Sequence, residues 1–278
     1  MRTLLFAIFL ILLGSLMAEE VSSPTKPDTN TMRLSFDRDM DTELLKRLLS
    51  HRHISLTRGG GPDGSDAIRV AYVGNEQGSE RVVVRVPLDF ATEAATLSFD
   101  VRFDRDFQWV KGGKLHGLGP KRPITGGQER RPDGWSARVT FKKDGYVATY
   151  LYDQDKTKKY GISKKSEQPV FFTDQWHHVI LEVRLNTPGK PDGSARVLVD
   201  NKEVINTRDV VFREDGGPDT MIQQFLFNTF HGGHTPAWAP VDDSGKPTTV
   251  YAYFDNFLIA EGIQPSPAGD DRKATHEE

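Results

Sequence analysis

Two short segments concentrate residue types that move protons and hold anions. VKGGKLHGL (110–118) sets Lys111, Lys114 and His116 around Gly112 and Gly113, and the two glycines let the backbone bend or approach a ligand closely. Taken alone, it also reads as a β-bulge with two solvated lysines. GWSARVTFKKDGYVATYLYD (134–153) reads as a β-hairpin. Side chains alternate along a strand, so Ser136 shares a face with Arg138, and Tyr150 shares one with Tyr152. The turn decides whether these pairs meet. A two-residue Asp144–Gly145 loop would set Arg138 opposite Leu151 and turn the tyrosines away. A three-residue loop of Lys143, Asp144 and Gly145 sets Arg138 opposite Tyr150 and Ser136 opposite Tyr152. Gly145 then takes the left-handed position of a type I turn with a G1 bulge. The three-residue register is the expected one, and it gathers a hydroxyl, a guanidinium and two phenols on one sheet face. The planar guanidinium matches a carboxylate, and a phenol beside a cation can transfer protons. The same residues would also form an ordinary ladder of stacked Tyr and Arg.

The elements that position these residues are strands. Period-two alternation of β-branched and aromatic with polar residues marks 68–73, 81–88, 96–103, 136–141, 146–152, 177–185, 195–199, 221–230 and 250–260. Asp41 or Thr42 could cap a short helix ending at Leu49, with Leu44, Leu45, Leu48 and Leu49 on one face. Many strands with almost no helix predict an all-β protein, an antiparallel sandwich or jelly roll. Arg2 followed by the apolar run Leu4–Leu13 and small residues near Ala18 reads as a signal peptide over 1–18. Residues 19–33 read as a linker, 34–262 as one domain, and 263–278 as a disordered tail.

Composition narrows the function. The chain has no cysteine, which excludes disulfide scaffolds, thiolate metal sites and cysteine nucleophiles. With 37% hydrophobic and 27% charged residues it is too apolar for disorder and too polar for a multi-span membrane protein. A net charge of -3 points to no polyanionic partner, yet between Arg102 and Lys143 eleven basic residues face four acidic ones. That local excess fits a groove for an anionic chain. Arg81 and Arg85 alternate on one strand and, with Lys111, are candidate substrate contacts. His231 and His234 have an HxxH spacing, but Gly232–Gly233 opposes the helix such a zinc site needs, so no metal is expected. His177 and His178 point to opposite faces and read as structural. Asp37, Asp39 and Asp41 lack the rest of a calcium loop. Nothing around Asp104, Asp106 or Glu182 singles out a carboxylate pair for glycoside hydrolysis.

In order and spacing, KGGKLHGL, GWSARVTF and ATYLYD (148–153) resemble polysaccharide lyase family 14, the alginate and glucuronan lyases with a β-jelly-roll fold. NTFHGGHTPAWAP (228–240) and YFDNFLIA (253–260) extend the resemblance over roughly residues 90–262. It implies a site of Lys114, Ser136, Arg138, Tyr150 and Tyr152, with no cofactor required. His116 stands where the family commonly has proline, and either joins the site or titrates on its rim. The implied reaction is β-elimination on a 4-linked polyuronate. Arg138 would neutralise the carboxylate, and Lys114 would depress the pKa of a phenol. Tyr150 and Tyr152 would serve as base and acid in either order, Ser136 would position substrate, and His116 would be a reserve base. The partner implied is an anionic polysaccharide, with neither nucleic acid nor membrane involved, and the expected signal peptide places the encounter in a periplasm or outside the cell. A non-catalytic carbohydrate-binding jelly roll and a sandwich-fold glycoside hydrolase are the competing readings.

Overall fold

The computed structural model describes residues 30–37 and 43–264. Fourteen strands and one α-helix run in the order β1 (Thr31–Leu34), α1 (Glu43–Leu49), β2 (Ile54–Thr57), β3 (Ala67–Asn75), β4 (Gly78–Ser79), β5 (Val82–Thr92), β6 (Ala94–Phe103), β7 (Gly113–Gly119), β8 (Ser136–Phe141), β9 (Val147–Tyr152), β10 (Trp176–Arg184), β11 (Gly193–Val199), β12 (Lys202–Val210), β13 (Ile222–His231) and β14 (Thr249–Glu261). The larger sheet has the order β12-β11-β10-β6-β14-β3-β2, with β1 on β14 and β4 on β3. The smaller sheet has the order β5-β13-β7-β8-β9. The named strands pair antiparallel throughout, as in a jelly roll.

Alternation explains the packing. In β5, Val82, Val84, Val86 and Leu88 are buried, while Val83 and Arg85 face outward. Phe99, Val101 and Phe103 of β6 and Leu181 and Val183 of β10 meet Val139, Phe141, Phe225 and Phe227 of the smaller sheet in one core. This core holds the smaller sheet rigid, and its other face is free to carry a site.

The boundaries differ from expectation at both ends. Thr31–Arg33, expected in a linker, pair with β14 as part of β1, so the domain begins earlier. Ile263 and Gln264, expected in the tail, are ordered; the Gln264 backbone N–H donates to Thr96 Oγ1 at 3.0 Å. Residues 1–18, expected to be a signal peptide, together with 19–29, 265–278, Asp39 and Asp41, lie outside the described residues. The helix forms as expected, with Leu48 buried. β1, β2 and β12 carried no clear alternation. β12 is a charged, half-exposed edge strand, a composition that protects an edge from pairing with other chains.

Candidate active site

The β8–β9 hairpin has the three-residue register. Ser136 pairs with Tyr152, Arg138 with Tyr150 and Thr140 with Ala148. The Lys142 backbone N–H donates to Tyr146 O at 2.7 Å and closes the loop. Its conformation departs from the expected type I turn, because Asp144 (φ 60°) and Gly145 (φ 76°) are both left-handed. Aspartate tolerates that region better than most residues. Glycine is required at 145, since a Cβ there would strike the Phe171 carbonyl oxygen.

Lys114 reaches the same face from β7 through a bulge. Lys114 pairs with Thr140 and Gly117 with Arg138, so three steps on β7 match two on β8. The extra residue sends both Leu115 and His116 inward, where each is fully buried. His116 therefore belongs neither to the site nor to its rim. Its ring lies 4.4 Å from Phe227, 4.8 Å from Phe99 and Phe254, and 5.0 Å from Phe257, centroid to centroid. Gly117 completes the bulge at close quarters. A Cβ would press on the Ala137 carbonyl oxygen and come 2.5 Å from Arg138 Cγ. Gly117→Ala is expected to cost about 2 kcal/mol by overpacking and to lower turnover by displacing Arg138. Thermal denaturation and initial rates check this, and an unchanged variant would contradict the packing described.

A cleft of about 580 Å³ crosses this sheet. Lys114, Arg138, Leu226 and Asn228 line it from the strands, with Tyr150 beside them. Arg81 and Arg85 line it from the β5 side, and Arg81 lies 5.6 Å from the Phe230 ring. Tyr160 and Trp238 contribute from loops. Lys111, by contrast, is exposed on the 109–112 turn and is not part of the lining. A slightly larger groove, about 630 Å³, lies between segment 164–172 and β12. Two of its three lysines are already engaged, since Lys164 Nζ donates to Asn206 O at 2.7 Å and Lys165 stacks on Tyr146.

Two residues expected at the reacting centre are sealed beneath it. Ser136 is fully buried, and its Oγ donates to Ile124 O at 2.7 Å. Tyr152 is fully buried, and its hydroxyl accepts from the Gly127 N–H at 2.7 Å. Both tether the 120–134 segment, whose Thr125 and Gly126 form part of the cleft wall. Of the two tyrosines, Tyr150 alone lines the cleft. Its hydroxyl stands 3.5 Å from that of Tyr152.

The electrostatics reverse one expectation. Burial, helped by the neighbouring Arg138, Lys142 and Arg81 charges, lowers the Lys114 pKa to about 7. Lys114 Nζ sits over the Tyr150 ring, 4.4 Å from its centroid. That contact leaves the phenol undepressed: burial and the Tyr152 hydroxyl push its pKa up, against a smaller opposing effect of Arg138. Arg138, also buried, has its pKa lowered to about 10 and stays charged at neutral pH. Neither Lys114 nor Arg138 forms an ion pair among the described residues. His231 turns away from the cleft, donating from Nε2 to Gln108 O at 2.7 Å, while His234 lines it. The HxxH pair thus does not converge, and no cluster of three or more His, Asp or Glu able to hold a metal occurs among the described residues. His177 and His178 bond to Asp200 and Asp100, and Glu182 pairs with Arg196.

A two-sheet antiparallel sandwich with a cationic cleft across its smaller sheet is the architecture of a jelly-roll polysaccharide lyase. The family model described as Polysaccharide lyase 14 matches residues 71–257, and the chain belongs to that family. Solved structures share the fold. Alginate lyase Aly36B is 24% identical over 73% of this chain and 83% of its own, with a TM-score of 0.60. The PL-14 alginate lyase from Aplysia kurodai is 23% identical over 84% and 98%, with a TM-score of 0.64. The endo-β-1,4-glucuronan lyase from the fungus Trichoderma reesei is 15% identical over 76% and 88%, with a TM-score of 0.53. A comparison with curated protein sequences finds no match.

Sequence reasoning missed Asn228, Phe230, Tyr160 and Trp238 as lining residues. Asn228, Phe230 and Trp238 fall within the 228–240 segment that carried the family resemblance, so a signal was present for them. Tyr160 comes from a loop without periodicity.

Proposed function

We propose that the protein is a polyuronate lyase that cleaves a 4-linked uronate chain by β-elimination outside the cytoplasm. One observation carries this reading. The buried guanidinium of Arg138, with the half-buried Lys114 amine beside it, stands in the floor of an open cleft with no carboxylate partner among the described residues. Buried charge left unpaired is costly, so the site is built for an anion supplied by the substrate. The names of the structural neighbours, alginate and glucuronan lyases, support a uronate. The apolar run Leu4–Leu13 supports export.

The geometry supports the following roles. Arg138 meets the carboxylate and stabilises the charge that develops as the C5–H bond breaks. Lys114, with a pKa near 7, is substantially a neutral amine at working pH and accepts the C5 proton. Tyr150, held protonated, gives its proton to the O4 leaving group as the C4–O bond breaks and the C4=C5 double bond forms. Incubation with polymannuronate, polyguluronate and glucuronan should release products with the ultraviolet absorbance of an unsaturated uronate. Saturated reducing ends, or binding without cleavage, would refute the reading.

The tyrosines separate in the same assay. Tyr150→Phe is expected to lose about 10²–10⁴ in kcat, the usual contribution of a general acid, with an unchanged melting temperature. Tyr152→Phe should retain kcat within tenfold and lower the melting temperature, since the Gly127 N–H loses its acceptor. The opposite pattern would exchange their roles.

A further inference from the structure

Neutralising a carboxylate while the adjacent carbon loses a proton calls for donors to both oxygens. Arg138 is poorly placed to serve both. Its Nε and Nη2 are sealed from solvent and have no hydrogen-bond partner among the described residues, which leaves Nη1 as the nitrogen open to the cleft. The bidentate edge of the guanidinium is thus not presented to substrate. A second donor has to come from elsewhere in the floor.

The β7 bulge leaves one place for it. Between Lys114 and the level of Arg138, Leu115 and His116 turn into the core and Gly117 has no side chain. On the adjacent strand, Phe230 pairs with Lys114 and Leu226 with Gly117, so Asn228 lies between them and faces that gap. Its side chain is 4% exposed, lines the cleft and makes no hydrogen bond within the described residues. In the open cleft the amide is reached by solvent, so it can exchange water for a substrate oxygen at little cost. Asparagine also adds a donor without a further positive charge beside Lys114.

We propose that Asn228 is a catalytic residue of this site, its amide N–H donating to one oxygen of the substrate carboxylate while Arg138 Nη1 serves the other. This rests on the polyuronate-lyase reading above. The neutral donor completes the recognition of a carboxylate, so the ligand it selects at this position is a uronate rather than a neutral hexose.

Asn228→Leu keeps the branching and the number of heavy atoms and removes the amide. Asn228→Asp keeps the shape and puts an acceptor where the donor was. Each is assayed for kcat and KM on an oligouronate that the wild type cleaves, alongside thermal denaturation. Loss of one such donor typically costs about 10²–10³ in kcat. Asn228→Leu is expected to lose about 100-fold with KM within threefold and an unchanged melting temperature. Asn228→Asp should lose at least as much and raise KM by repulsion. Either variant retaining kcat within threefold, or losing only KM, overturns the assignment. If Asn228→Leu melts early, Asn228→Asp decides by itself. A wild type that makes no unsaturated product from any polyuronate would instead remove the lyase reading beneath it.

Discussion

Lys114→Met is expected to abolish most of the activity, by about 10²–10⁴-fold in kcat, and at the same time to raise the melting temperature below pH 7. The two effects share a cause. Burial and the charges of Arg138, Lys142 and Arg81 bring the Lys114 pKa from 10.5 to about 7 in the folded protein. The unfolded chain keeps this proton up to pH 10.5, whereas the folded chain releases it near 7. Folding is therefore penalised progressively as pH falls from 10.5 to 7, and the full penalty persists below 7. It amounts to several kcal/mol, at about 1.4 kcal/mol for each pH unit of that interval. Methionine fills a similar volume without the charge, so the variant should melt several degrees higher at pH 6 and lose that advantage by pH 10. Such a trade of stability for activity is common where a strained group does the chemistry. For the wild type, kcat/KM should rise through an apparent pKa near 7, as the amine becomes neutral. Lys114→Arg keeps the charge without a usable base and should not restore turnover. A Lys114→Met protein of normal activity, or of lower stability at pH 6, would remove Lys114 from the role of base.

Lys114, Arg138 and Tyr150 were legible because alternation along strands and a three-residue turn are local properties. A three-residue loop of Lys143, Asp144 and Gly145 sets the register of β8 against β9, although not in the type I conformation expected, and it places Arg138 opposite Tyr150. Alternation assigns a face but says nothing of what covers it. Ser136 and Tyr152 share the face of Arg138, yet the 120–134 segment folds over them and consumes their hydroxyls. The path of that loop depends on the whole tertiary structure. His116 failed for a different reason, because period two puts it on the face of Lys114 and the bulge breaks that period. A hint was available, since Lys114 and Leu118 have the same parity while one must face solvent and the other the core. That conflict requires an extra residue between them. Asn228 sits in a strand whose alternation was recognised, but nothing local marks its amide as unpartnered.

His116→Leu is expected to make the protein substantially more resistant to acid. The imidazole is enclosed by Phe99, Phe227, Phe254 and Phe257, and neither ring nitrogen has a hydrogen-bond partner among the described residues. Burial alone drives its pKa well below 6.5, so the folded state holds it neutral. Once unfolded, it binds a proton near pH 6.5. Its contribution to stability is therefore intact above 6.5 and is lost as pH falls below that value, by about 1.4 kcal/mol per pH unit. His231, brought down to about 4 by burial, adds a second loss of the same sign between 6.5 and 4. Leucine at 116 removes the first of these and replaces two unsatisfied polar nitrogens with apolar atoms in an aromatic cage. At pH 8 a gain of about 1–3 kcal/mol is expected from that replacement. At pH 5 the gain should be roughly 2 kcal/mol larger, or several degrees of additional separation between the melting curves. Turnover should be unchanged, because His116 faces away from the cleft. Melting temperatures of both proteins across pH 5–8 decide the matter. Parallel curves would mean that His116 does not titrate on unfolding, and a loss of activity in the variant would return His116 to the site.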